Sequence, residues 1–206
     1  MPEVKTIEEL QLDGGIPCLD LVNAAVDTEV DVLVERLHTY SDLLVLAERS
    51  GLLDRLVIRS LSAHAKSRPA EANAVMLKMR EVREDMYTVF LDLATHKLKQ
   101  VDKGALDRLN VAIAWAASAR KLEVVKNKIV PVWDMDAAGL SLPLRAFVMS
   151  AQDLLLNHRQ ELVKKCVSCA WLFLDTSKSH RRKWCDMQSC GSAAKSKRYY
   201  RRKTKS

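Results

Sequence analysis

Cys166-Val-Ser-Cys169, then fifteen residues, then Cys185-Asp-Met-Gln-Ser-Cys190: two cysteine pairs lie close together near the C-terminal end of the chain. A structural zinc ion takes four ligands in a tetrahedron, with thiolates at about 2.3 Å. A C-x2-C pair at a tight turn lets two sulfurs converge on one ion. The fifteen intervening residues suit a β-hairpin that returns to the same place, with Trp171-Leu-Phe-Leu174 as a strand and Lys183-Trp184 as the approach to the second pair. The wider Cys185/Cys190 spacing suits a turn that enters a helix, whose N-terminal amides favour thiolates. Turn, hairpin and helix in this order predict a small treble-clef-like module. Its ligands are Cys166, Cys169, Cys185 and Cys190, and its cofactor is one structural Zn2+ per chain. Four thiolates leave no coordination position open for water, so the site reads as structural and not catalytic. Trp171, Leu172, Phe173, Leu174 and Trp184 are nearly the whole apolar inventory of the segment, too few for a core without a metal. His180 sits in a basic run and reads as part of that run, not as a fifth ligand.

Charge gives the module a direction. Residues 164–206 hold 13 Lys or Arg and two acids, Asp175 and Asp186, a net +11; the whole chain is +7, which leaves −4 for residues 1–163. Beyond Cys190 a helix over about 190–202 would carry Lys195, Lys197, Arg198, Arg201 and Arg202, with Tyr199 and Tyr200 between the charges, while Arg181, Arg182 and Lys183 come from the zinc loop. A cationic surface of this kind neutralises phosphates and gains affinity from counterion release, and Arg forks can also read guanine edges. These eight basic residues are the candidate nucleic-acid contacts.

Outward from this module, the rest of the chain reads as a mainly α domain, residues 1–163, followed by the basic zinc-finger domain, 164–206. Asp13 to Asn23 reads as a turn and a short packed segment, extended in one reading. Helices are predicted over about 30–38, from Tyr40 with Ser41 as N-cap to Gly51, over Leu52 to Lys66, and over Pro69 to Leu98. The last places Val75, Met76, Met79, Val82, Met86, Val89, Phe90 and Leu93 on one apolar stripe. At that spacing the methionines are core side chains, not metal ligands. Asp102 caps a helix over about 103–119. The β-branched run from Leu122 to Trp133, interrupted by Lys126-Asn-Lys128, predicts a hairpin with Asn127 at positive φ. A final helix from Leu142 to Lys164 leads directly into Cys166.

Composition is that of a globular protein: 48% hydrophobic, 29% charged, with few aromatics at 5%. No stretch reaches the roughly 18 to 20 apolar residues that span a bilayer. Met1 to Leu12 lacks the basic start and apolar run of a signal peptide, so a cytoplasmic location is expected, where paired cysteines read as metal ligands before disulfides. Cys18, alone beside Leu19, reads as a small buried hydrophobe. His38, His64, His96 and His158 are scattered, without metal spacing.

The cysteine segment resembles the CGNR-type zinc finger of bacterial proteins that carry an N-terminal ABATE domain and are described as stress-induced transcriptional regulators. The resemblance rests on Cys166-x2-Cys169, Leu172-Phe-Leu-Asp175-x-Ser177, Arg182-Lys-Trp-Cys185, Met187 and Cys190-Gly191, about 40 residues in order and spacing. Leu19-Asp-Leu-Val-Asn23 after Gly15 resembles the family's N-terminal LDFVNT-like motif; Asp20 and Asn23 within it are candidates for lining a small ligand pocket, although residues of this kind more often cap a turn or helix. The family's Cys-Gly-Asn-Arg is Cys190-Gly-Ser192-Ala193 here. All four ligands are kept; the altered pair bears on recognition and not on folding of the finger.

The expected function is therefore a DNA-binding transcription regulator, with the helical domain sensing a signal, such as a small-molecule ligand, or mediating assembly. Zinc-dependent RNA binding, in which tyrosines stack on unpaired bases, and a protein-interaction adaptor are the competing classes. No nucleophile–base motif, metal-hydrolase motif or phosphate loop points to an enzyme. Oligomeric state is not set by any motif.

Overall fold

The computed structural model describes residues 6–25, 34–95 and 98–203, and for residues 98 and 197–202 the backbone alone. Its centre is the 26-residue helix α4, Pro69–Ala94, which starts with proline in its first turn and buries Met76, Met79, Val82, Met86, Val89 and Phe90. The methionines are core, as the periodicity requires. The helix ends at Thr95, whose hydroxyl donates to the Leu91 carbonyl at 2.7 Å, so it stops short of Leu98.

Around α4 lie α1 (Pro17–Asn23), α2 (Tyr40–Arg49), α3 (Arg55–Ser67), α5 (Lys103–Ala117) and, after the β1–β2 hairpin, α6 (Met135–Ala138) and α7 (Leu142–Asn157). Residues 13–23 are thus a turn and a helix, not an extended segment. Pro17 opens α1, and Cys18 to Asn23 are all buried, the polar Asp20 and Asn23 among them, so this short run is a core helix. Cys18 is fully buried, which pushes its thiol up to about 12 and leaves it inert.

The helix expected over 30–38 is not present over 34–38, and its first half lies outside the described residues. Leu37 is buried there, and Glu35 reaches across to Arg83. The N-cap of α2 is Thr39, not Ser41. Thr39 and Asp42 form a reciprocal capping box, and Gly51 beyond the C-terminus has φ +71. Asp54 caps α3 through the amides of Leu56 and Val57, and Asp102 caps α5 through Ala105.

β1 (Arg120–Val125) and β2 (Lys128–Trp133) form the expected antiparallel hairpin, with Lys126 and Asn127 both at positive φ in the two-residue turn. The helix expected to reach Lys164 ends at Asn157. The Leu155 carbonyl is taken by the Gln160 side chain, and a short turn leads into β3, Val163–Lys165. β3 pairs antiparallel with β4, Leu172–Leu174. The last helix, α8, is Ser192–Lys203. The protein is mostly helical, and no helix of the described residues is long and apolar enough to cross a membrane.

One hydrophobic cluster runs through α1, α4, α7 and β4 without a break: Leu172 and Phe173 are fully buried, and Trp171 and Leu174 nearly so. The base of the cysteine segment is therefore built into the helical body. Gly14 makes this possible. Its carbonyl accepts from the Leu174 amide at 2.8 Å, and a Cβ at Gly14 would lie within 2.9 Å of the Asp20 backbone.

Candidate metal centre and nucleic-acid interface

Cys166 and Cys169 occupy the turn that joins β3 to β4. The Cys166 amide donates to the Trp171 carbonyl at 2.9 Å, closing the knuckle, and the Ser168 amide points at the Cys166 Sγ at 3.5 Å. The strand at 172–174 is the one expected, but its partner is the segment before the first cysteine pair, not Lys183-Trp184. The reason is chemical: Val163, Leu172 and Leu174 have a core to enter, whereas Lys183 is exposed. Lys183 instead fastens the second pair to the first through its carbonyl, which takes the Val167 amide at 3.0 Å.

The second pair sits at the entrance of α8, as its spacing requires. Asp186 accepts from the Ser189 amide at 2.5 Å, and the single π-turn Met187–Gly191 carries Cys190 into the helix. The segment between the two pairs is organised by Asp175, which is fully buried. Its carboxylate accepts from the Lys164 ammonium at 2.5 Å, the Ser177 hydroxyl at 2.6 Å and the Ser177 and Arg182 amides. Burial alone would raise this carboxyl, but these donors outweigh it and hold the group well below the usual carboxylate range. Asp175 was visible in the sequence only as a motif position; nothing local announces four donors.

The four Sγ atoms lie within 4.8 Å of one another, and the Cys169–Cys185, Cys185–Cys190 and Cys169–Cys190 separations are each 3.7 Å. A tetrahedron with zinc–sulfur bonds of about 2.3 Å has edges of about 3.8 Å. The sulfurs are thus spaced for one zinc ion, and no disulfide joins them. Electrostatics agree: hydrogen bonds from Cys169 and Cys185 drive the Cys166 thiol down, and those same bonds drive Cys169 and Cys185 up. Four thiolates this close ionise together only around a cation. The donor set fits one structural zinc with every position taken. His180 is not part of it; its Nδ1 lies 3.1 Å from the Asp175 carbonyl oxygen, closing the loop.

Of the candidate nucleic-acid contacts, Arg181, Lys183 and Lys195 are exposed. Arg182 is half-buried: its Nε donates to the Trp184 carbonyl and its guanidinium lies 4.9 Å from the Phe173 ring, so it braces the loop. Lys197, Arg198, Arg201 and Arg202 fall within α8, and their side chains are outside the described residues. Ser192 and Ala193, which stand in place of Asn-Arg, are exposed at the first turn of that helix.

Asp20 and Asn23, the candidates for a small-ligand pocket, are both buried and hydrogen-bonded to main chain. Asn23 is 1% exposed; its Nδ2 donates to the Leu172 carbonyl at 2.8 Å and its Oδ1 accepts the Leu172 amide at 2.9 Å. One amide side chain thereby completes the outer edge of β4. Asp20 takes the Gly14 amide at 2.9 Å, and burial pushes its carboxyl up to about 7. Both residues lock α1 to the turn and strand beside it.

A family model described as "Putative stress-induced transcription regulator" (ABATE) matches residues 15–158, most of the chain. The chain belongs to the ABATE family. A second model, the CGNR zinc finger, matches residues 163–203, which contain all four cysteines. No curated protein matches the chain. In this ABATE member the helical region and the finger meet at β3, and the Asn23–Leu172 bonds cross between them.

Proposed function

We propose that this protein is a DNA-binding transcription regulator whose zinc-held C-terminal segment contacts the DNA. The observation that carries the reading is the junction of charge and metal. A segment of net +11 is anchored by four cysteines, and α8 leaves the site directly from Cys190 with its cationic residues. The zinc lets a short polar segment hold one shape, and that shape starts the basic helix α8 at the metal site. Phosphate contacts then supply most of the affinity, and Arg residues at the groove supply base preference.

The helical region mediates assembly or responds to a signal. Its route to the finger is short, because a shift of α1 moves Asn23 and with it the edge of β4. The reading places the protein in the cytoplasm with nucleic acid as its partner and assigns it no catalytic step.

Binding to duplex DNA across a salt series tests the proposal. With about five phosphates contacted, log K against log salt has a slope near −4.5. Replacing Arg198, Arg201 and Arg202 with Ala lowers affinity and flattens the slope by about three; an unchanged slope means that α8 is not the contact surface. Tighter binding to structured RNA than to duplex DNA at matched salt would move the function to RNA. Absence of nucleic-acid binding at low salt would make the basic surface a protein-docking site.

A further inference from the structure

Four large exposed apolar side chains, Leu122, Val124, Val125 and Ile129, fall on one element, the β1–β2 hairpin. The register sets Leu122 opposite Pro131 and Val124 opposite Ile129, so Leu122, Val124 and Ile129 share one face with Pro131, while Val125 lies on the other. Leu122 and Val124 are each 73% exposed and Ile129 is 71% exposed. Among the described residues β1 and β2 pair only with each other, and an isolated two-stranded hairpin is marginal in water.

The two edges of this hairpin differ. A two-residue turn makes Val125 and Lys128 a hydrogen-bonded pair. Alternation then turns the main-chain groups of Ile129, Pro131 and Trp133 outward along β2, and those of Arg120, Leu122 and Val124 outward along β1. Pro131 has no N–H, so the β2 edge is interrupted at its middle. The β1 edge carries an unbroken row of donors and acceptors, with no proline.

We propose that β1 is a homodimerisation edge, pairing antiparallel with β1 of a second copy about a two-fold axis at Leu122. The strand is self-complementary in that register. Lys121 stands opposite the partner's Glu123, and Glu123 opposite the partner's Lys121. On the other face Leu122 meets the partner's Leu122. Leu122 pairs through its outward N–H and C=O, and Arg120 pairs with the partner's Val124, giving six main-chain hydrogen bonds. Within one chain Lys121 and Glu123 already lie 3.2 Å apart on the same side of the strand, so both are aimed at this face. Moving the axis to Arg120 or Val124 loses both ion pairs. The occupant is a second copy because the charges match the strand's own reverse.

The full chain at about 100 µM, examined by sedimentation velocity, is expected to be a dimer. Lys121→Glu sets Glu against Glu, and Glu123→Lys sets Lys against Lys; each variant weakens dimerisation about tenfold or more, while circular dichroism shows the fold intact. An equimolar mixture of the two variants restores the dimer, because each charge then meets its opposite. A wild-type monomer at that concentration overturns the proposal. So does a dimer indifferent to both reversals, or a mixture that stays as weak as its components.

Discussion

Asn23 places an amide where a neighbouring strand would otherwise run, and it does so for Leu172, 149 residues further on. Replacing it with Ala leaves a buried N–H and a buried C=O without partners. We expect a loss of about 3 kcal/mol in denaturant unfolding. A loss under about 0.5 kcal/mol would mean that the pair is not worth what its burial implies. Asp175 makes a second residue-scale test. Its folded pKa is depressed, so its contribution is complete above the unfolded value near 4 and is lost as pH falls toward the lower folded value. Asp175→Asn should cost about 3 kcal/mol at pH 7, and the gap to wild type should close below about pH 4. A gap independent of pH would contradict a role for the charge. The cysteines were legible in the sequence because ligand spacing is local. The work of Asn23 was not, because its partner is fixed only by tertiary packing.

At the scale of elements, what the sequence disclosed follows from range. Asp102 and Gly51 mark helix ends through contacts within a few residues, and the Lys126-Asn127 turn declares its hairpin in the same way. The stripe from Val75 to Leu93 repeats often enough for its period to be unmistakable. β3 escaped notice because Val163-Lys-Lys165 is three residues with one buried side chain, too short to show alternation. The sequence pattern alone therefore runs it on from α7, although the apolar period stops at Leu155. α1 escaped for the opposite reason. With every residue from Cys18 to Asn23 buried, its seven residues have no exposed face and too few turns to reveal a helical period. The cap that mattered for α2 was Thr39, distinguished from Ser41 by an acid three residues on at Asp42. The position of α8 was legible because a cysteine pair at a helix entrance fixes where the helix begins.

At the scale of the molecule, charge and metal divide the chain while packing unites it. Residues 1–163 carry −4 and the remainder +11, yet Trp171, Leu172, Phe173 and Leu174 are buried in the core that α1, α4 and α7 build. The first cysteine pair is thus held partly by the body, through β3 and β4. The second pair and α8 depend more heavily on the ion. Removing zinc should release the start of α8 and loosen the Asp175 loop, while α2 to α5 keep their helical content. The most direct measurement follows duplex DNA affinity by fluorescence anisotropy as a chelator withdraws zinc from the full chain, with circular dichroism read alongside. The account predicts one zinc per chain, loss of DNA binding in step with its release, recovery on adding zinc back, and a largely preserved helical signal. DNA affinity that is unchanged after the single equivalent of zinc has left would contradict it.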